Sequence, residues 1–143
     1  IAWAGLVVHA AADKFNVDDS DAAQTLVDLA AVLDYVGEYA AAEQSLIRAE
    51  AALDEENQAR CEVFRASIIL KLGRCDEALD LMRPIALRNP QDLDVRLTYA
   101  EQLVHCDRRN EAVFEYQMIL RDFQLEVAAR ERIHQAIQSL QEP

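Results

Sequence analysis

The chain has 143 residues and a net charge of −12, with 52% hydrophobic and only 6% aromatic residues. This length suits one domain with a substantial core. Its three glycines and three prolines are too few for a loop-rich or all-β protein, so the composition predicts an all-α fold.

The acidic residues are concentrated in the first part of the chain. Residues 1–57 contain twelve acidic and two basic residues, whereas residues 58–143 contain fourteen acidic and twelve basic residues. Nucleic acid and anionic membranes are poor partners for such a chain, because phosphate binding requires clustered positive charge. We predict a basic or mixed-charge protein partner; the alternative is a solvated acidic surface that only aids solubility.

The N-terminal residues, IAWAGLVVHAAA, are apolar but too short to span a bilayer. With no initiator Met and no preceding basic residue, we interpret them as the edge of a trimmed chain, with the remnant of an anchor or signal segment as the alternative.

Periodic apolar residues then predict a succession of helices. After an N-terminal helix over residues 1–16, the chain reads as three helix pairs and a last helix: 21–36 with 39–53, 58–72 with 75–88, 92–106 with 109–122, then 125–140. Asp21 followed by Gln24 predicts an N-cap for the first pair. In the last helix, four apolar residues fall on one side: Val127, Ile133, Ile137 and Leu140.

Equivalent residues recur in the three pairs. Ala30, Ala66 and Ala100 mark the first helices, and Ala42, Ala78 and Ala112 mark the second helices, with spacings of 36 and 34 residues in both series. Gly37 and Gly73 lie in the turns of the first two pairs. In the third pair, Asp107 occupies the position of the turn glycine. A larger side chain follows each second alanine, at Leu46, Met82 and Tyr116.

With this pattern the chain resembles the tetratricopeptide repeat, a 34-residue helix–turn–helix unit. The resemblance implies a right-handed α-solenoid of antiparallel helix pairs, with repeats at 21–56, 57–90 and 91–124 and a C-terminal capping helix at 125–143. The position of the family's first-helix aromatic holds Leu26, Glu62 and Arg96. We therefore expect Cys61 and Val95, one place earlier, to supply the apolar contact in the later repeats.

Residues 1–16 do not match an upstream second helix, because Val8, Ala12 and Phe15 would occupy its key positions. Two alternatives remain for this segment. It caps the first repeat through a face formed by Trp3, Leu6, Val7 and Ala10, or it reaches into a groove or a partner.

Motifs for catalysis are missing from the sequence: it has no HExxH, GxSxG, GxxxxGK or GxGxxG. His9, His105 and His134 are far apart, and Asp18-Asp19-Ser20-Asp21 lacks the spacing of a calcium-binding EF-hand loop. Cys61, Cys75 and Cys106 have no zinc or disulfide spacing. We predict a non-enzymatic protein without metal or cofactor, three free cysteines, and a reducing, cytoplasmic setting. A periplasmic or membrane-anchored context of a longer chain stays open.

The resemblance also implies where a partner binds, since first helices line the inner groove of such arrays. Residue by residue, the predicted groove comprises Val27, Ala31, Asp34, Tyr35, Arg60, Val63, Phe64, Ser67, Leu70, Lys71, Leu97, Glu101, Val104 and His105. Its apolar content favours an amphipathic helix or an extended apolar peptide as ligand. In the alternative interpretation, the second repeat is rotated and Val63 and Phe64 face the core.

Some family members hold acidic chaperone tails with a cationic clamp. The matching positions here are not cationic: Val27, Ala31, Phe64, Asp94 and Thr98. Three hypotheses remain for the function: a protein-interaction scaffold, a small bacterial secretion-type chaperone that shields a client segment, and a structural or self-associating segment of a larger protein.

Overall fold

A computed structural model describes residues 20–143 of the chain. Within this part it contains seven helices and no strand, which confirms the all-α prediction. The predicted helix over residues 1–16, and with it His9, lies outside the described residues. In chain order the helices are α1 (Ser20–Tyr35), α2 (Tyr39–Glu50), α3 (Glu55–Lys71), α4 (Cys75–Arg88), α5 (Leu93–His105), α6 (Arg109–Asp122) and α7 (Val127–Gln141).

The start of α3 was predicted three residues too late. Asp54 caps this helix, because its carboxylate accepts a hydrogen bond from the Asn57 amide at 2.9 Å. Glu55 and Glu56 then lie in the first turn, where negative charge interacts favourably with the helix dipole. These two glutamates, which lie between two of the predicted helices, therefore begin α3.

The predicted Asp21 cap is wrong. Asp21 already lies inside α1, and its carbonyl accepts a hydrogen bond from the Thr25 hydroxyl. The Gln24 amide does not reach back but donates forward to Asp28, at 3.1 Å. A capping pattern cannot be distinguished by sequence from the same residues one or two places inside a helix.

The three predicted turns share one backbone conformation. Gly37, Gly73 and Asp107 have φ angles of 81°, 78° and 55°, in the left-handed region. In each turn this residue donates its amide to the carbonyl three residues earlier, and the next amide bonds the carbonyl five residues earlier. This is the Schellman motif, which satisfies the last carbonyls of a helix. The repeat is therefore visible in the hydrogen bonds as well as in the sequence.

The aligned alanines mark the close contacts of the hairpins. All six are fully buried: Ala30, Ala42, Ala66, Ala78, Ala100 and Ala112. In the second helices, each alanine donates its amide to the carbonyl of the residue that follows the left-handed turn residue. A larger side chain at such a site would overfill the packed interior.

The chain divides into two compact regions, the first ending at Leu81 and the second running from Met82 to Pro143. The core of the first region forms where α1, α2 and α3 pack together. It includes Leu26, Leu46, Cys61 and Ile68, each at most 2% exposed, with Phe64 among the partly buried residues around it.

In the second region, α5, α6 and α7 enclose another core. Ile119 and Ile133 are buried in it, and Ile137 and Leu140 of α7 pack against it. Three of the four residues predicted for the apolar side of the last helix thus face this core. Val127 does not, because it is the first residue of α7 and 73% exposed.

The expectation that Val95 replaces the missing aromatic is wrong. Val95 is only half-buried, whereas Arg96 itself is 7% exposed. Its guanidinium pairs with Glu115 at 3.1 Å, approaches Asp122 at 3.9 Å and donates to the Pro90 carbonyl at 3.3 Å. A buried charge is tolerated when it is paired and hydrogen-bonded in this way.

The cysteines also differ from the prediction. Cys61 is free and buried, but Cys75 and Cys106 are disulfide-bonded. Disulfide pairing depends on the distance between Cβ atoms in the fold, which sequence spacing does not reveal. The reducing setting was predicted from three free thiols, and Cys61 alone among the three cysteines is free.

Candidate interaction surface

Two first helices, α1 and α3, lie side by side in the first region. Lys71 at the end of α3 donates to the Asp34 carboxylate at the end of α1, at 2.6 Å. Val27 of α1 and Phe64 of α3 both pack against the same core. These contacts place the two helices next to each other. We call the ten predicted groove residues of the first two repeats, which lie on α1 and α3, the α1–α3 face.

None of the ten residues of the α1–α3 face is buried. Six are half-buried: Val27, Asp34, Val63, Phe64, Ser67 and Leu70. Four are exposed: Ala31, Tyr35, Arg60 and Lys71. Tyr35 is 92% exposed, which is unusual for so large an aromatic side chain.

In the alternative interpretation, Val63 and Phe64 face the core. Of the two, Phe64 alone packs against the core, and it does so only in part. Phe64 packs against the core of the first region yet keeps part of its surface in solvent. Val63 is half-buried, and its carbonyl accepts a hydrogen bond from the Ser67 hydroxyl at 3.3 Å. Phe64 therefore contributes to both packing and surface.

The charges on this face are locally compensated. Asp34 is neutralised by Lys71, whose ammonium also lies 5.6 Å from the centre of the Tyr39 ring. Arg60 pairs with Glu56 one turn earlier, at 3.4 Å. Besides these paired charges, the face presents partly exposed apolar side chains and the ring of Tyr35.

Several acidic residues of the first region pair with cations that follow in the sequence. Arg65 donates two hydrogen bonds to Glu50. Arg74 donates two to Glu43 and also pairs with Glu77. The hydrogen bonds from Arg74 lower the pKa of Glu77. The acidic excess of residues 1–57 is thus partly offset in the fold by α3 and by Arg74, which lies just before α4.

The other predicted groove residues lie on α5 in the second region. Glu101 and His105 are exposed and Val104 is 37% exposed. Leu97 is half-buried and packs against the core of its own region. Three of these four side chains are therefore accessible on α5.

A depression between α5 and α6 in the second region was not predicted from the sequence. It measures about 260 Å³ and is lined by Tyr99, Leu103, Asn110, Glu111, Phe114 and Glu115. Phe114 at its rim is 59% exposed. The sequence feature that could have indicated this depression is Phe114. It is a large apolar residue two places after the buried Ala112, and hence it lies off the core-facing side of its helix.

No three His, Cys, Asp or Glu side chains among residues 20–143 are placed to hold a metal ion. Burial raises the pKa of the Cys61 thiol to about 12, which keeps it protonated and poorly nucleophilic at neutral pH. No helix in the described part of the chain is long and apolar enough to cross a membrane.

The hairpin geometry and a family comparison lead to the same class of protein. Residues 23–138 match the family described as the tetratricopeptide repeat, which covers well over half of the chain. The chain belongs to this family, whose members are helical repeat proteins that act in general as non-catalytic scaffolds for protein–protein interaction. A search of curated proteins found no match.

Proposed function

We propose that the chain is a protein-interaction scaffold and that its α1–α3 face holds an apolar segment of a partner protein. The observation that carries this proposal is the exposure of apolar side chains on adjacent first helices. Val27, Ala31, Val63, Phe64 and Leu70 all retain solvent contact there, and Tyr35 extends almost fully into solvent.

An amphipathic helix or an extended apolar peptide fits this face best. Covering its half-buried side chains contributes several kcal/mol of apolar burial before association costs are subtracted, at about 25 cal/mol per Å². Aromatic residues such as Tyr35 are enriched where binding energy is concentrated, because they bury a large area with few rotatable bonds.

Charge has a smaller part in this proposal than the sequence alone indicates. Asp34 on the face is already paired with Lys71, so a cationic ligand would have to displace an existing partner. We therefore expect affinity to change little with salt, whereas steering by exposed acids would make it fall steeply. Leu97, Glu101, Val104 and His105 on α5 remain proposed contacts of a second surface, in its own region.

The test uses substitutions that spare the core. Phe64→Asp and Leu97→Asp would confound binding with folding, because both side chains contact a core. Ala31→Glu and Tyr35→Glu alter exposed side chains only. Affinity purification from the source organism, read by mass spectrometry, should recover a partner with the wild-type chain and lose it with either variant.

The matched control is Ile47→Glu, a similar apolar-to-acidic change at a residue of α2 that is 49% exposed and outside the α1–α3 face. It should keep the partner. Equal loss with Ile47→Glu, or retention of the partner by both α1 variants at unchanged helicity, would contradict binding at this face. A partner lost only with Val104→Glu would place the site on α5 instead.

A further inference from the structure

One face of α1 is exposed where the matching face of α3 is buried. Residues 36 apart are equivalent in these two helices, so Thr25, Val32 and Val36 correspond to Cys61, Ile68 and Leu72. We call the first three residues the α1 edge. Val32 and Val36 are 60% and 54% exposed, and Thr25 is also exposed.

On α3 the same face is covered by the preceding helix. Cys61 and Ile68 are 2% and 0% exposed within a core to which α2 contributes, and Leu72 packs against that core. The Cys61 thiol donates to the Leu46 carbonyl of α2 at 3.6 Å. In a repeat protein each unit is sealed by its neighbour, so the α1 edge lacks the contact that its α3 counterpart makes.

We propose that residues 1–16 cover the α1 edge through the apolar side chains of Trp3, Leu6, Val7 and Ala10. These residues are spaced as one face of a helix.

The connection permits this arrangement. Residues 17–19 separate the segment from α1, and residues 51–54 make the corresponding link between α2 and α3. Antiparallel helices are commonly joined by loops of about two to five residues. A short tether also raises the local concentration of the segment to the millimolar range or above, which favours it over a second copy of the chain.

Trp3 provides the measurement, because it is the single tryptophan of the chain. In the wild-type chain, its fluorescence should be blue-shifted and several-fold less accessible to acrylamide than in the urea-unfolded chain. The double variant Val32→Glu with Val36→Glu should shift the emission to the red and raise the quenching constant several-fold. The reciprocal variant Leu6→Glu, which leaves α1 intact, should do the same.

The matched control is Val127→Glu in α7, since Val127 is 73% exposed and distant in sequence from both partners. It should leave Trp3 protected, and circular dichroism should show that all variants keep the helices of residues 20–143. Quenching of the wild type at the unfolded-chain level, or protection that survives the α1-edge substitutions, would overturn the proposal. Protection that disappears on dilution, together with a fall from dimer to monomer mass in light scattering, would assign the edge to a second copy and overturn it too.

Discussion

Leu26 in the first region and Arg96 in the second occupy the same place, four residues before the buried alanine of a first helix. Leu26 is fully buried in an apolar core. Arg96 is nearly as buried but is held by Glu115 and by the Pro90 carbonyl. The repeat therefore preserves backbone geometry and small contact residues, while the side chains that fill the remaining space differ between repeats.

The buried leucine and the buried ion pair differ in what they contribute to stability. Burying a leucine contributes about 1.5–3 kcal/mol. A buried ion pair must first offset the desolvation of its charges, so its net contribution is smaller even where its geometry is good. We therefore expect the first region to depend more on the residue at this position than the second.

The largest expected effect is at Leu26. Leu26→Ala should lower the free energy of unfolding by about 2–5 kcal/mol, because it leaves a cavity in a packed core. Arg96→Met should cost less, about 1–2 kcal/mol, since the side chains of Glu115 and Asp122 remain 19% and 28% exposed and can be hydrated. Urea unfolding measures both, with the exposed Leu87→Ala as control. A larger loss at Arg96 would reverse the comparison.

Alkaline pH provides a second way to compare the stability of the two regions. Burial raises the pKa of Cys61 in the first region from 9.0 to about 12. The Cys61 thiol therefore ionises at a lower pH in the unfolded chain than in the folded one. Its contribution to the free energy of unfolding is fully present below pH 9 and is lost as the pH rises toward 12. We expect a loss of about 1 kcal/mol between pH 8 and pH 10 from this group, at 1.36 kcal/mol per pKa unit.

The control for this effect is Cys61→Ala, which should flatten that part of the pH profile whatever its effect at pH 7. Tyr116 in the second region also has a pKa raised by burial, so its contribution begins only above its ordinary value of 10. A profile between pH 8 and pH 10 that is unchanged in Cys61→Ala would show that the thiol is hydrated in the folded state.

The turns give the smallest expected effect. Gly37→Ala and Gly73→Ala should each cost about 1 kcal/mol, because an L-residue is strained in the left-handed conformation. No atom lies within 4 Å of an added Cβ at either glycine, so the cost is that of the backbone alone. Asp107→Gly in the second region should be neutral or stabilising by up to about 1 kcal/mol. The gain is reduced by the loss of the exposed hydrogen bond that Arg109 donates to the Asp107 carboxylate. Thermal unfolding of the three variants would test this; a loss at Asp107 would mean that its side chain stabilises the turn.

Much of the fold could be predicted because its signals are local. A glycine that ends a helix and an alanine five residues later, as at Gly37 and Ala42, lie within one hairpin and recur at a nearly constant period. Arg96 could not be placed in this way. Its carboxylate partner Glu115 lies 19 residues away, and the sequence pattern of a charged residue by itself predicts solvent exposure.

The interaction surface was predicted less completely, for a related reason. The family pattern assigns residues to a helix face, but it does not tell how far each side chain is covered. Phe64 and Tyr35 were both assigned to the groove, yet one packs against the core and the other is almost entirely exposed. Only the packing of neighbouring helices separates a residue that supports the surface from one that is free to bind.

The three Schellman turns also have a consequence for how the chain folds. Each is closed by hydrogen bonds that span no more than five residues, so little chain entropy is lost in forming it. Contacts this local form in microseconds or less, well before pairings between distant segments. Any of the three hairpins can therefore start folding from its own turn, and pulsed hydrogen exchange should find the amides of Glu38, Arg74 and Arg108 among the first to be protected.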